Sequence, residues 1–139
     1  MSMEVGLFEV AGILAGIALG AALIAGFRIA GFDQDRATWP LVLMAIAVAY
    51  VLLAAGAGSR FFMGVEALIA VPFIALAVYG YHQHQRIVLA GALLGHALID
   101  LLHVGLIDHA GVPALYPWLC VGTDVTLAGW ILLARRSES

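Results

Sequence analysis

HALIDLLH, residues 96–103, is the stretch on which the fold of this chain depends, and it lies inside an apolar run from position 87 to position 107. His96, Asp100 and His103 are spaced i, i+4 and i+7, so on a helix their side chains share one face within an arc of about 60°. The rest of the run is uncharged and long enough to cross a bilayer. An aspartate at membrane depth costs roughly 2.5–3.5 kcal/mol on insertion scales, so it indicates a functional site with partners elsewhere in the chain.

Composition excludes an ordinary soluble domain. Of 139 residues, 64% are apolar and 11% are charged, which is typical of a polytopic membrane protein. We therefore expect an all-α fold, a bundle of five transmembrane helices that forms one domain over residues 1–139. A net charge of −3 without a basic patch excludes nucleic acid as a partner. The single cysteine, Cys120, cannot form an intrachain disulfide.

Five apolar runs predict membrane spans at about residues 5–27, 40–58, 61–81, 87–107 and 117–134. In the first run, Gly12, Gly16 and Gly20 form a small-xxx-small stripe, which predicts close packing against another helix. Glu9 lies on the same face and is expected to point into the bundle, the alternative being a side chain that reaches back to water. The short turn at Arg60 predicts that spans two and three form an antiparallel hairpin.

The distribution of arginines predicts the orientation of the bundle. With five spans, all arginines except Arg60 fall on one side of the membrane, so the positive-inside rule places the C-terminus in the cytoplasm and the N-terminus outside. At about 1.5 Å per residue, the titratable groups then share the outer half of the bilayer. These groups are Glu9, Glu66, His96, Asp100, His103, Cys120 and Asp124, with Tyr50 at about the same depth. We expect one polar pocket that opens to the outside.

The pocket has the side chains of a metal site. Its four carboxylates cannot all be ionised in a low dielectric without positive charge, and the spans contain no lysine or arginine. Histidine with carboxylate suits a divalent metal, with zinc as the first candidate and iron or manganese as alternatives. The predicted ligands are His96, Asp100, His103 and Asp124. The predicted catalytic carboxylates are Glu66, Glu9 and Asp100.

A metal with an open position predicts hydrolysis of a lipid or another hydrophobic small molecule dissolved in the membrane, with Glu66 or Glu9 accepting a proton. Oxidative chemistry at two metals and a metal-free isomerase or cyclase that uses a protonated carboxyl group stay open. So does cation or proton transport, which in so small a chain would call for a homo-oligomer. The polar groups could also form a network that only fixes helix packing. Cys120 is either a soft ligand or a small apolar filler.

The last third of the chain carries a resemblance to a known family. Its motif consists of His96-x-x-x-Asp100-x-x-His103, Gly111-Val112-Pro113, Pro117, Cys120 and Asp124. Over residues 95–130 the chain resembles small bacterial integral-membrane proteins of unknown function, which implies one shared site and a place in the bacterial cytoplasmic membrane. Members often have a second histidine after the position of His103, where this chain has Val104. Zinc-dependent ceramidase-type hydrolases are similar in kind of site, although their ligand spacing is not reproduced here.

Overall fold

The protein is all-helical over the residues that the structure describes. A computed structural model describes the backbone of residues 2–137 and the side chains of residues 6–134. Its helices are α1 (Ser2–Ala30), α2 (Thr38–Gly56), α3 (Arg60–His82), α4 (Arg86–Leu102) and α5 (Tyr116–Ser137), with a short 3₁₀ turn at Phe32–Gln34 between α1 and α2. The described residues contain no strand, so the predicted all-α class is confirmed.

Helices α2 and α3 form the predicted hairpin through a turn of three residues. Gly58 has a φ of 73°, a left-handed conformation that glycine adopts without a Cβ clash. It allows the Ser59 amide to donate to the Ala54 carbonyl at 3.1 Å, which closes the end of α2. Ser59 Oγ then accepts a hydrogen bond from the Phe62 amide at 3.2 Å and caps the start of α3. The chain therefore reverses direction at once, and the two helices pack together.

Helix α1 packs on α5 through the glycine stripe. A Cβ added at Gly12 would lie 2.6 Å from Trp118 Cβ, and one at Gly20 would lie 2.9 Å from Thr126 Cβ. At Gly16 a Cβ would overlap the Leu119 carbonyl oxygen. These clashes show that only glycine allows the two backbones to approach so closely, as the small-xxx-small spacing predicts.

Four helices, α1, α2, α3 and α5, are long and apolar enough to cross a membrane, as expected of an integral membrane protein. Helix α4 differs from the predicted span 87–107 because it ends at Leu102. Its 17 residues cover about 25 Å, less than the roughly 30 Å of a bilayer core. Beyond it the chain folds back, since the amides of Leu106 and Ile107 both donate to the Leu102 carbonyl, at 2.8 and 3.0 Å. A loop over residues 103–115 leads to α5.

The core has an apolar half and a polar half. The apolar cluster is drawn from the first half of α2, the second half of α3, the first half of α4 and the second half of α5. It includes Trp39, Leu43, Leu93, Leu127 and Ile131, all at most 4% exposed. The remaining halves of these helices therefore enclose the other end of the bundle, where the buried polar side chains lie.

Candidate functional site

The buried polar side chains gather at one end of the bundle. They come from the first half of α3, the second half of α4, the loop after it and the first half of α5. Each is less than 9% exposed, and the set is Glu66, His96, Asp100, His103, His109, Thr123 and Asp124. Burial of so many polar groups is tolerated only where they pair with one another or with a bound ion. Glu66, His96, Asp100, His103 and Asp124, which the sequence predicts to lie at one level, are thus all buried at the same end of the bundle.

His96 lies between two aspartates. Its Nδ1 is 2.9 Å from Asp124 Oδ2 on α5 and 3.6 Å from Asp100 Oδ1, one turn further along α4. The Tyr50 hydroxyl, from α2, donates to the same Asp100 Oδ1 at 2.8 Å. Asp100 and Asp124 are fully buried. Three helices therefore hold two carboxylates and one imidazole in direct contact.

Each aspartate keeps one oxygen without a hydrogen-bond donor. Asp100 Oδ2 and Asp124 Oδ1 are buried, and neither has a partner among the described residues. A buried carboxylate oxygen without a donor costs free energy unless a proton or a cation satisfies it. One ligand atom from each of His96, Asp100 and Asp124 lies within 4.8 Å of the other two. Two carboxylates and an imidazole at this separation fit a divalent metal in both charge and donor type.

Glu66 lies between two histidines. His103 Nε2 is 2.8 and 3.0 Å from the two Glu66 oxygens, and His109 Nε2 is 3.1 Å from Oε1. The Gly111 amide donates to His109 Nδ1 at 3.3 Å, which leaves the proton of His109 on Nε2, facing Glu66. His103 Nδ1 is 2.8 Å from the Ile99 carbonyl and must donate to it. One further proton is then shared between His103 Nε2 and Glu66, so this pair can give or take a proton.

Tyr50 separates the two clusters and contacts both. Its ring stacks on His103 with centroids 3.8 Å apart and an interplanar angle of 12°, while its hydroxyl bonds Asp100. The structure thus brings three of the four predicted ligands together and places the fourth, His103, with Glu66. Among the described residues no metal-ligand group includes His103. In place of the expected single pocket there are two buried clusters, one in contact with the Tyr50 ring through His103 and the other with the Tyr50 hydroxyl through Asp100.

An open cleft of about 220 Å³ reaches His103 from the surface. Its walls include Phe8 and Glu9 of α1, Asp108 of the loop after α4, and Trp118 of α5. Glu9 is half-buried and lies in the wall of this cleft, outside the group around His96. Mixed apolar and acidic walls suit a ligand with an apolar body.

Cys120 is buried on α5, one turn before Asp124, where its thiol contacts Tyr116 and Tyr50, and it is not part of the His96, Asp100 and Asp124 group.

His109 is the residue that sequence reasoning missed. It follows Asp108 in the loop after α4, between the fourth and fifth predicted spans. Its place in the chain could have indicated a contact with Glu66, because this loop leads back to the end of the bundle where α3 begins and where Glu66 lies. The loop is held there by close packing, since a Cβ at Gly111 would lie 2.5 Å from the Leu53 carbonyl oxygen of α2.

Comparison of the chain with protein-family models, with curated proteins and with solved structures finds no match. The fold and the site therefore define the class: a small all-helical protein with four helices able to cross a membrane and a buried His/Asp/Asp group that can hold a metal. The resemblance to the bacterial membrane family stays a prediction.

Proposed function

We propose that this protein is a membrane-embedded, metal-dependent hydrolase that holds one divalent ion at His96, Asp100 and Asp124. The observation that carries the proposal is the pair of buried aspartate oxygens without a donor, beside the His96 imidazole. Two carboxylates and a neutral imidazole balance the charge of a divalent ion, which makes the group tolerable in a low dielectric. Zinc is the first candidate, and iron or manganese are the alternatives.

The chemistry that such an ion supplies when bound is activation of a water molecule for hydrolysis. The chain's own residues orient the metal ligands and transfer protons. Tyr50 orients Asp100 through its hydroxyl, as outer hydrogen bonds orient metal ligands. The Glu66 and His103 pair holds a transferable proton beside the Tyr50 ring, on which His103 stacks. These two residues are proposed as the acid and base of the reaction.

The substrate proposed for this site is a lipid or another hydrophobic small molecule. The cleft supports this, because apolar side chains such as Phe8 and Trp118 line it and its inner end is His103. Glu9 and Asp108 lie in its walls, where they can contact the polar part of a substrate. Glu9, which the sequence predicts as a catalytic carboxylate, is proposed here to contact the substrate.

We further propose that all five helices cross a bacterial cytoplasmic membrane, with the N-terminus outside. The arginine distribution supports this orientation, since Arg28, Arg36 and Arg86 lie at one end and Arg60 at the other. Helix α4 is short for a crossing, but a bilayer can thin by several ångström around a bundle at modest cost. The site then opens to the outer face.

Metal content tests the proposal directly. We expect about one equivalent of zinc, iron or manganese in purified wild-type protein by elemental analysis. Asp124→Asn keeps the size of the side chain but removes the charge, and should lower retained metal at least tenfold. Asp108→Asn, at an exposed position in the loop, is the matched control and should retain the wild-type content. His103→Ala should also retain the metal if the ligands are His96, Asp100 and Asp124.

A folded wild-type protein that retains none of these metals after mild purification would overturn the metal proposal. Loss of metal in His103→Ala as well would favour the four-ligand site expected from the sequence.

Acid–base chemistry without a metal is the second candidate, and the hydrogen-bonded array of Glu66, His103 and His109 favours it. An isomerase or cyclase could use such a protonated pair alone. Chelator treatment separates the two candidates, because a metal-free enzyme would keep its turnover of a membrane-dissolved substrate in the presence of chelator. Glu66→Gln should abolish turnover in either case.

The apolar half of the core supports an enzyme over a transporter. A route through the bundle would need polar groups beyond His96, yet the buried cluster there consists of side chains such as Leu43, Leu93 and Ile131. A pocket that is closed at one end suits binding and catalysis better than passage.

A further inference from the structure

The cleft that reaches His103 has acidic walls. Two of the residues that line it are carboxylic acids, Glu9 on α1 and Asp108 in the loop after α4. No arginine or lysine is among the described residues that line it. Two acids and no base give the walls a formal charge of −2 when His103 is neutral.

Neither carboxylate is neutralised by a described side chain. The ion pairs among the described residues lie in the two buried clusters and, at the opposite end of the bundle, between Arg28 and Asp33. Glu9 is also half-buried on a helix apolar enough to cross a membrane. A carboxylate in such a place is costly without a positive charge near it. Both carboxylates are therefore available to a cationic ligand.

The other walls of the cleft are aromatic and apolar. Phe8 from α1 and Trp118 from α5 line it, together with Val104 and Pro117. The faces of aromatic rings attract organic cations, and the indole ring of tryptophan does so most strongly. Carboxylates beside aromatic and aliphatic side chains suit a ligand that joins an ammonium group to an apolar chain.

The size of the cleft fits the head of such a ligand. Its volume of about 220 Å³ is below the roughly 300–1,000 Å³ of pockets that enclose a drug-sized molecule. Phe8 and Val104 line the cleft and are each 44% exposed, so the apolar wall continues to the outer surface of the bundle. The chain of a ligand can therefore extend from the cleft into the surrounding lipid.

The same charge disfavours a phosphate group. Phosphate oxygens are usually bound by arginine or lysine side chains. Arg60, the arginine at this end of the bundle, is the first residue of α3 and does not line the cleft. A phosphate in the cleft would meet two carboxylates without a positive side chain to offset their repulsion.

We propose that the substrate of this site is an amphiphilic amine, an apolar chain with a cationic ammonium group and no phosphate. Glu9 and Asp108 bind the ammonium group. Because His103 lines the same cleft, a ligand held there lies within reach of the Glu66 and His103 pair. As a substrate class the proposal rests on the function proposed above, whereas binding of the ammonium group can be measured without turnover.

Photolabelling of the full chain in phosphatidylcholine nanodiscs tests the proposal. Three probes share one alkyl chain with a diazirine and end in an ammonium, a hydroxyl or a phosphoethanolamine group. Labelled peptides are quantified by mass spectrometry. In wild type we expect the ammonium probe to label the cleft segments of α1 and α5 at least about tenfold more than either of the other probes, since only it gains the charge-assisted contacts.

Variants of the two carboxylates locate the binding. Glu9→Gln and Asp108→Asn each remove one charge at nearly constant size, and each should lower labelling by the ammonium probe about tenfold. Labelling by the hydroxyl probe should stay the same, which shows that the cleft is still folded and open. Asp35→Asn is the matched control, because it removes the same charge at an exposed position outside the cleft, and it should label as wild type does.

A fourth variant separates the cleft walls from the overall field. Arg60→Gln makes the same end of the bundle more negative without touching the cleft, so labelling by the ammonium probe should change by less than about twofold, as expected of a screened surface charge. A rise of about tenfold would overturn the proposal, because the probe would then follow the general charge of that end.

Equal labelling of wild type by the ammonium and hydroxyl probes, or equal losses in Glu9→Gln and Asp35→Asn, would also overturn the proposal. So would labelling by the phosphoethanolamine probe as strong as that by the ammonium probe, because the ligand would then be a phospholipid headgroup. Failure of the metal proposal gives a different result. Labelling needs neither metal nor turnover, so a metal-free wild type that prefers the ammonium probe would support the amine site and overturn the hydrolase alone.

Discussion

Tyr50 is the residue that joins the two polar clusters. Its ring stacks on His103 and its hydroxyl donates to Asp100. It also meets Tyr116 edge to face, with centroids 5.4 Å apart. Tyr50 has a polar role as well as a packing role, because α2 presents its hydroxyl at the level of Asp100.

Replacement of Tyr50 by phenylalanine separates these roles. Phe keeps the stacking on His103 but leaves Asp100 without its hydroxyl donor. We expect the free energy of unfolding to fall by about 1–3 kcal/mol, measured by titration with a denaturing detergent. Bound metal should fall by at least about tenfold, because an outer hydrogen bond that orients a ligand is lost. Tyr79→Phe, at a half-exposed position of α3, should change neither quantity.

His84 occupies a position that favours glycine, because its φ of 54° is left-handed. We expect His84→Gly to raise the free energy of unfolding by about 1 kcal/mol by relieving this strain. The control is His82→Gly, at the last residue of α3, which should lower stability by up to about 1 kcal/mol. A loss of stability in both variants would contradict the interpretation.

At the scale of the element, the position of α5 decides the site. The first half of α5 places Asp124 against His96. Another face of α5 packs against the glycine stripe of α1. The Thr123 hydroxyl lies between the Leu119 carbonyl of its own helix, at 2.9 Å, and the Gly16 carbonyl of α1, at 3.1 Å, so a polar contact accompanies the close approach. Helix α1 packs mainly on α5. The attachment of α1 to the bundle therefore depends on the contact between its glycine stripe and α5, which we call the α1–α5 seam.

Gly16→Ala tests the seam. The added Cβ would overlap the Leu119 carbonyl oxygen, and relief of such overpacking costs about 1–3 kcal/mol. We expect that loss in the free energy of unfolding in detergent. Gly26→Ala is the matched control on the same helix, because no atom of another element lies within 4 Å of the methyl group that it adds. Its stability should stay the same or rise slightly, and equal losses in both variants would argue against the seam.

The whole molecule is polar at one end of its core and apolar at the other. The clusters around His96 and Glu66 occupy the end where α2 and α4 finish and where α3 and α5 start. The loop after α4 covers this end, with His109 and Val112 buried. The opposite end is rich in arginine. A bundle with two chemically different ends is suited to a fixed orientation in a membrane.

The crossing of α4 decides that orientation and can be measured. Ala110→Cys and Gln83→Cys, both at exposed positions, flank α4 and are made in a Cys120→Ala background. We expect an impermeant maleimide to label position 110 from outside intact cells and position 83 only after lysis. Labelling of both positions from the same side would mean that α4 does not cross, and the five-span proposal would fail.

Much of the helical framework could be predicted from the sequence because it depends on local rules. Apolar runs of bilayer length predict the helices, the short turn before Arg60 predicts the hairpin, and the four-residue spacing of Gly12, Gly16 and Gly20 predicts the seam. The i, i+4 spacing of His96 and Asp100 places them on one face whatever α4 packs against. The predicted span 87–107 is too long, because hydropathy does not register a loop that folds back.

The sequence by itself thus determined which helices form and at which end their polar side chains lie. Only the tertiary structure decided which of these side chains meet. Tyr50, from another helix, fills the space beside His103 and separates it from His96 and Asp100. Partners of a buried polar group depend on rotamers and on loop closure between segments far apart in the chain, and helical periodicity carries no information about either.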